Sequence, residues 1–259
     1  MPIVSLTREF LEHFNITECS RAICGGQKTV YKVRIDGKFY ALKVIKVADE
    51  RFIRELKICE EFKQNAGIPR IFEVKSYDGE TVILEEFIDG NDLSQISGQY
   101  LGDETKVCRL IKEIIQSLKP VWEARYIHRD LKPANIRIRK NGTPVILDFG
   151  IARALDDESI TVSGGQPLTY IYGSPEQYAG KKSLISYRTD FFCIGVIAFQ
   201  LYTGKLPFGN GREEIGLKYK NGNLKVSSGS EKIDIFCNAV FKVNPSERPR
   251  TIDSLIKLI

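Results

Sequence analysis

The first third of the chain alternates. In "TVYKVRI" (29–35), "KFYALKVIK" (38–46), "IFEVKSY" (71–77) and "TVILEEF" (81–87), β-branched and aromatic residues interleave with polar ones, and Gly or Pro separates the runs. That pattern predicts strands. Asp36-Gly37 stands between the first two runs, where a tight hairpin needs residues that tolerate left-handed backbone. One stretch breaks the alternation: in "DERFIRELKICEEF" (49–62), Phe52, Leu56 and Cys59 fall on one face of a helix. Residues 1–18, with Leu6, Phe10, Leu11 and Phe14, read as a short amphipathic helix whose role is packing.

Past "FIDGN", near residue 90, the period changes. Helical patterns dominate at 104–125, 190–203 and 251–259. The pattern predicts one α+β domain over 1–259, with a strand-rich N-terminal lobe (about 1–88) and a helix-rich C-terminal lobe (about 92–259). The joining segment is expected at about 86–91, where Gly90 and Asn91 suit a hinge. In such an architecture a ligand favours the cleft between lobes.

Composition narrows the function classes. The 38 basic residues against 33 acidic, a net charge of +5, are too balanced for a nucleic-acid signature, so no nucleic-acid partner is expected. The six cysteines form no C-x-x-C pair, and only His13 and His128 could assist them, which argues against zinc. Scattered cysteines without a signal peptide fit a reducing cytosol, so a cytoplasmic location is expected. The longest uncharged run, Phe191 to Gly204, has 14 residues. A bilayer span needs roughly 18, so the run reads as a buried helix and no membrane anchor is expected. Nothing in these residues reads as a sensor or linker.

The chemistry concentrates in "YIHRDLKPANIRI" (126–138). The Asp130 carboxylate can accept a hydroxyl's proton. Asn135 can offer a neutral oxygen to a metal, and Lys132 between them can neutralise a phosphate. "TPVILDFG" (143–150) is an apolar strand that delivers Asp148 to its end, with Gly150 permitting a bend just after it. A second acid at a strand end suits Mg²⁺, which prefers few carboxylates plus phosphate oxygens. A lone Asp in a polar loop is usually a turn residue or cap. Seven fixed residues of H-R-D-L-K-P-x-N, however, coincide by chance on the order of once in a billion per position.

"HRDLKPAN", "DFG" and "SPEQ", in that order, resemble the catalytic core of a protein kinase, and more narrowly a eukaryotic-like (Hanks-type) serine/threonine kinase with a bacterial flavour in "SPEQ" and "DFGIAR". The resemblance runs from about Ala22 to Arg248 and implies a bilobal kinase fold. It implies ATP and Mg²⁺ as cofactors, with Mn²⁺ as the alternative ion, and a protein substrate phosphorylated on Ser or Thr. It assigns Asp130 as catalytic base, Asn135 and Asp148 as metal ligands, and Lys132 as the γ-phosphate contact. "YALKVIK" resembles the family's third-strand motif, so Lys43 would meet the α- and β-phosphates and Glu55 would hold it in place. The alternative for that pair is an ordinary surface ion pair. Glu86 and Ile88 would offer backbone groups to adenine. Asp92 would contact ribose or, equally, cap a helix. Ile23, Gly25, Gly26, Val30 and Ala41 would complete the nucleotide pocket. Asp190 would brace the turn at His128-Arg129, and Glu176 and Arg248 would form a buried ion pair.

Two departures stand out. The family's glycine-rich loop appears as "AICGGQKTVYKV", where Ile23, Gly25 and Lys28 occupy the three glycine positions. Lys28 could place a positive charge over the phosphates instead. Glu85 takes a back-pocket position usually held by an apolar residue or Thr, where it would either pair with a lysine or face water. The worn loop keeps two other readings open: a regulatory module of the pseudokinase type, and a kinase-like small-molecule phosphotransferase. Among substrate and control features, Lys132 marks serine/threonine-directed members, and Thr169 falls where they place a threonine near the substrate hydroxyl. Thr161 and Ser163 are expected autophosphorylation sites whose phosphate would pair with Arg129. No residue pattern bears on oligomeric state.

Overall fold

A computed structural model describes residues 6–25, 28–45, 50–149, 153–154 and 169–259, with backbone alone at 21–25, 28–29, 50–51, 153–154 and 169. The chain divides into two compact units, Met1–Asp89 and Gly90–Ile259.

The first unit is a five-stranded antiparallel sheet with a helix on each face. Its elements in chain order are α1 (Arg8–His13), β1 (Ile16–Gly25), β2 (Lys28–Ile35), β3 (Lys38–Ile45), α2 (Glu50–Glu61), β4 (Ile71–Tyr77) and β5 (Glu80–Glu86), and the strands lie in the order β1-β2-β3-β5-β4. Asp36 and Gly37 both adopt positive φ, +47° and +76°, so the β2–β3 hairpin turns where the Asp-Gly pair predicts it. Alternation then sorts side chains to opposite faces. Tyr31, Val33, Leu42, Val44, Val82 and Leu84 point to one face, where Phe10 of α1 and Phe14 just after it cover them. Ile45 and Ile83 point to the other, against Phe52 and Leu56 of α2.

The amphipathic helix expected over 1–18 is thus shorter than its pattern. Thr7 caps it at one end, and Asn15 at φ +52° ends it before the chain enters β1. Strand β1 is an edge strand with two irregularities in its pairing to β2, and among Ile16 to Ser20 only Ile16 is buried.

The second unit contains β6 (Gly90–Asp92), α3 (Leu93–Ile96), α4 (Glu104–Glu123), β7 (Tyr126–Ile127), β8 (Ile136–Arg139), β9 (Pro144–Ile146), β10 (Arg153–Ala154), α5 (Pro175–Tyr178), α6 (Tyr187–Thr203), α7 (Arg212–Asn221), α8 (Glu231–Val240) and α9 (Ile252–Ile256). Gly90 permits a close approach of backbone: it pairs with Arg139 across β6 and β8, and a Cβ there would collide with the Ile138 carbonyl. The uncharged run at 191–204 is the body of α6, buried on nearly all sides. Among the described residues no helix is long and apolar enough to cross a membrane.

Two buried acids hold this unit together. Glu176 and Arg248 meet through two parallel bonds of 2.7 Å with both side chains 0% exposed. Thr189 donates a further bond to Glu176 Oε1 at 2.8 Å, and Arg248 also donates to the Lys242 and Arg188 carbonyls. Both charges of this pair therefore have partners, the condition for tolerating burial. Asp190, at the start of α6, accepts from the Trp122 indole (2.8 Å) and from the backbone N–H groups of His128 and Arg129 (2.9 Å each). Burial raises its carboxyl above the usual range, and these donors together with His128 pull it back only in part.

Removing one partner of the Glu176–Arg248 pair strands the other. Arg248→Met should cost about 3–5 kcal/mol in urea denaturation, and Glu176→Met/Arg248→Met should recover part of that loss. Asp190→Ala leaves three buried donors without an acceptor and should cost about 3 kcal/mol or more by the same measurement. A change under about 1 kcal/mol in either single variant would contradict this account.

Candidate active site

The residues singled out by the sequence fall in two groups, one in each unit. In the first unit, β3 carries Lys43 and β5 carries Glu85. The register sets Ala41 opposite Glu85, so Lys43, two residues further, shares Glu85's face of the sheet. Glu55 comes from α2, which covers that same face. The Lys43 ammonium lies 3.3 Å from Glu55 Oε1 and 2.6 Å from Glu85 Oε2. Burial alone would push Lys43 toward its neutral form. Glu85 first and Glu55 second reverse this, holding its pKa well above the ordinary ammonium value. The question raised by Glu85 thus has an answer: it pairs with a lysine, and that lysine is Lys43.

Around this pair, Val30 lies opposite Lys43 on β2, and Ala41 is half-buried on β3. Ile23 and Gly25 lie on β1 and Lys28 begins β2, with Gly25 paired to Lys28 across the hairpin. The side chains of Ile23 and Lys28 are not described, and Gly26 lies outside the described residues. Glu86 donates its N–H to the Arg70 carbonyl at 2.7 Å, while Ile88 is buried.

In the second unit, the turn after β7 carries His128, Arg129 and Asp130. Arg129 sits at φ +69°, a conformation costly for a side-chain-bearing residue and held here by the two backbone bonds to Asp190. Past the turn, Lys132 Nζ lies 2.8 Å from Asp130 Oδ2. Asn135 Nδ2 donates to the Asp130 carbonyl at 2.9 Å and to Oδ2 at 3.0 Å. Asp130, Lys132 and Asn135 are thereby locked in one small network. Using Nδ2 for Asp130 leaves the amide oxygen of Asn135 as its remaining donor atom for a cation.

Asp148 follows β9. Ile136 pairs with Ile146, and the Leu147 N–H donates to the Asn135 carbonyl at 2.8 Å, so Asn135 and Asp148 stand at the same end of the β8–β9 hairpin. Asp148 adopts φ +63° and its side chain is exposed. Both of its neighbours are fastened to His128. The Leu147 carbonyl accepts from His128 Nε2 at 3.0 Å, and the Phe149 ring meets the imidazole edge-on at 4.8 Å. The Asp130 N–H in turn donates to His128 Nδ1 at 3.3 Å, so this one histidine ties the Asp130 turn to the Asp148 turn. Two oxygen ligands from separate turns are a donor set that fits Mg²⁺, which takes few protein ligands and completes its shell with phosphate and water.

Four contacts have no counterpart among the expectations from sequence. Asp92 holds the N-cap position of α3, yet its side chain makes no cap bond. It accepts from Arg137 at 2.8 Å, and Arg137 also donates to the Gly90 carbonyl at 2.8 Å. Gln177 Nε2 donates to the Arg129 carbonyl at 2.7 Å while its Oε1 accepts from the Ser174 N–H at 3.0 Å. The "SPEQ" segment is thus tied to the His128–Asp130 turn. The Ser174-x-x-Gln177 spacing is a capping-box signature that could have announced part of this. No sequence signal announces the pairing of Arg137 with Asp92, since the strand register brings them together. Thr161 and Ser163 lie outside the described residues. Thr169 opens a single turn, Thr169–Ile171, and its side chain is not described.

Comparison with known proteins agrees with this geometry. The sequence model of the protein kinase domain matches residues 24–257. The "Probable serine/threonine-protein kinase PknB" of Lactococcus lactis is 32% identical over 208 residues, covering 75% of this chain and 32% of that protein. The serine/threonine-protein kinase pkn3 of Myxococcus xanthus is 36% identical over 203 residues, covering 71% and 37%. The serine/threonine-protein kinase PrkC of Bacillus subtilis is 28% identical over 242 residues, covering 90% and 35%. The chain spans about a third of the length of these curated relatives. With the family match running over nearly all of its residues, and with its bilobal α+β elements as described, the chain belongs to the protein kinase domain family.

Proposed function

We propose that residues 1–259 form one protein kinase domain that transfers the γ-phosphoryl group of ATP to Ser or Thr hydroxyls of a protein substrate in the cytoplasm. The observation that carries this reading is the network in which Lys132 and Asn135 both bond the Asp130 carboxylate on a turn braced by Asp190. The relatives named as serine/threonine kinases support it further.

In this reading Asp130 orients the attacking hydroxyl and takes its proton. A new P–O bond forms to that oxygen as the bond from the γ-phosphorus to the bridging oxygen of ADP breaks. Lys132 offsets charge on the transferred group. Lys43, held by Glu55, contacts the α- and β-phosphates. Glu86 contributes its carbonyl to the adenine edge, since its N–H is already given to Arg70, and Ile88 supplies the other backbone contact. Asp92 meets ribose while shared with Arg137. Asn135 and Asp148 hold the divalent ion, which when bound supplies positive charge against the triphosphate. The protein's contribution is positioning and charge neutralisation.

Asp130→Ala should lower transfer of labelled phosphate to protein by about 10²- to 10⁴-fold, while calorimetric uptake of Mg–ATP persists. Transfer to small alcohols instead of protein, or undiminished transfer by Asp130→Ala, would overturn the reading. Incubation with Mg–ATP should also add phosphate at Thr161 or Ser163, read by peptide mass spectrometry. An active sample with none between residues 156 and 170 would remove autophosphorylation of this segment from the account.

A further inference from the structure

Glu85 was assigned no role in phosphoryl transfer, yet it makes the shortest contact to Lys43. Three charged side chains converge on the α2 face of the sheet: Lys43 at 12% exposure, Glu55 at 7% and Glu85 at 6%. One ammonium faces two carboxylates, so the trio carries a net negative charge when all three are ionised. The 2.6 Å separation from Glu85 is that of a strong charge-assisted bond, whereas the 3.3 Å separation from Glu55 is long for one. The shared face of β3 and β5 makes this arrangement a consequence of register rather than of a long, flexible reach. An ammonium has three N–H groups. With two directed at carboxylates, one remains for a phosphate oxygen, and that oxygen arrives beside an extra anion in a site where water screens little. An uncharged residue in place of Glu85 would leave the same ammonium balanced by Glu55 alone.

We propose that Glu85 is a positioning residue that competes with nucleotide phosphates for the Lys43 ammonium and so weakens the binding of phosphate chains that arrive without a divalent cation. The inference rests on Lys43 being the phosphate contact of the kinase reading. Metal-bound triphosphate brings part of the missing positive charge with it. Metal-free triphosphate lacks that charge and meets a Lys43 already bonded to Glu85.

The test compares wild type with Glu85→Gln, which keeps shape and removes charge, and Glu85→Asp, which keeps charge. Glu85→Thr serves in the same role should Glu85→Gln fail to fold. The first readout needs no nucleotide: acylation of Lys43 by a small amine-directed reagent at pH 9, followed by peptide mass spectrometry. Only the free amine reacts, and one unit of pKa changes its amount tenfold, so Glu85→Gln should react about tenfold faster than wild type and Glu85→Asp at nearly the wild-type rate. The second readout is calorimetry with ATP in a chelator and with ATP plus Mg²⁺. Glu85→Gln should bind metal-free ATP about tenfold more tightly than wild type, and its gain from Mg²⁺ should shrink by the same factor. An unchanged acylation rate would mean that Glu85 does not hold the ammonium. A faster rate with unchanged or weaker metal-free binding would mean that it holds Lys43 without competing; either result overturns the proposal while leaving the kinase reading intact. If no variant takes up ATP under either condition although the acylation rate moves, the kinase reading falls and the competition with it.

Discussion

A carboxylate removed from water must be given hydrogen bonds, and the second unit is arranged around that demand at Asp190. Its two oxygens collect the Trp122 indole and the consecutive N–H groups of His128 and Arg129. Because those N–H groups are consecutive, satisfying Asp190 fixes the backbone of the turn and holds Arg129 in left-handed space. Asp130 follows immediately, so its direction is inherited. His128 then passes the constraint to the next strand through the Leu147 carbonyl and the Phe149 ring. Asp148 lies between those two residues, so its backbone position is set with theirs. Gln177 adds a third link by bonding the Arg129 carbonyl. One buried acid at the head of α6 thus underlies the placement of Asp130 and Asp148 and the anchoring of the segment that precedes α6.

Several charges of the candidate site are paired with an opposite charge. Lys43 is balanced by Glu85 and Glu55, Lys132 by Asp130, and Asp92 by Arg137. Burial alone would push Lys43 toward its neutral form, and its carboxylate partners instead hold its pKa above the ordinary ammonium value. The pairs also hold long side chains in single orientations, which reduces the ordering required when a phosphate or hydroxyl is received. The cost is competition, since a group already bonded must share its partner with any ligand.

Much of the site was legible because its chemistry depends on residue identity at short spacing. Asp130, Lys132 and Asn135 lie within one turn of chain, so their network is almost local and the motif announces it. Glu85 was legible only as an oddity. Its identity was plain, but whether it faced water or Lys43 depended on which β3 residue stood opposite it. Asp92 misled for a related reason. It does occupy a helix N-cap position, yet its carboxylate accepts from Arg137, 45 residues further along the chain and opposite it on the paired strand β8.

The sequence by itself determined the alternating strands of the first unit, the Asp-Gly hairpin, the buried character of α6 and the family, since each depends on patterns within a few residues or on a motif that chance does not produce. Tertiary structure decided the rest. Edge strand β1 shows no regular alternation of apolar and polar residues to declare itself, and it forms because β2 offers it a ladder. The short helix α1 stops early because the sheet it covers begins at Ile16. Which carboxylates share Lys43, and which arginine claims Asp92, were settled by strand register, because pairing brings together residues that no local pattern can connect.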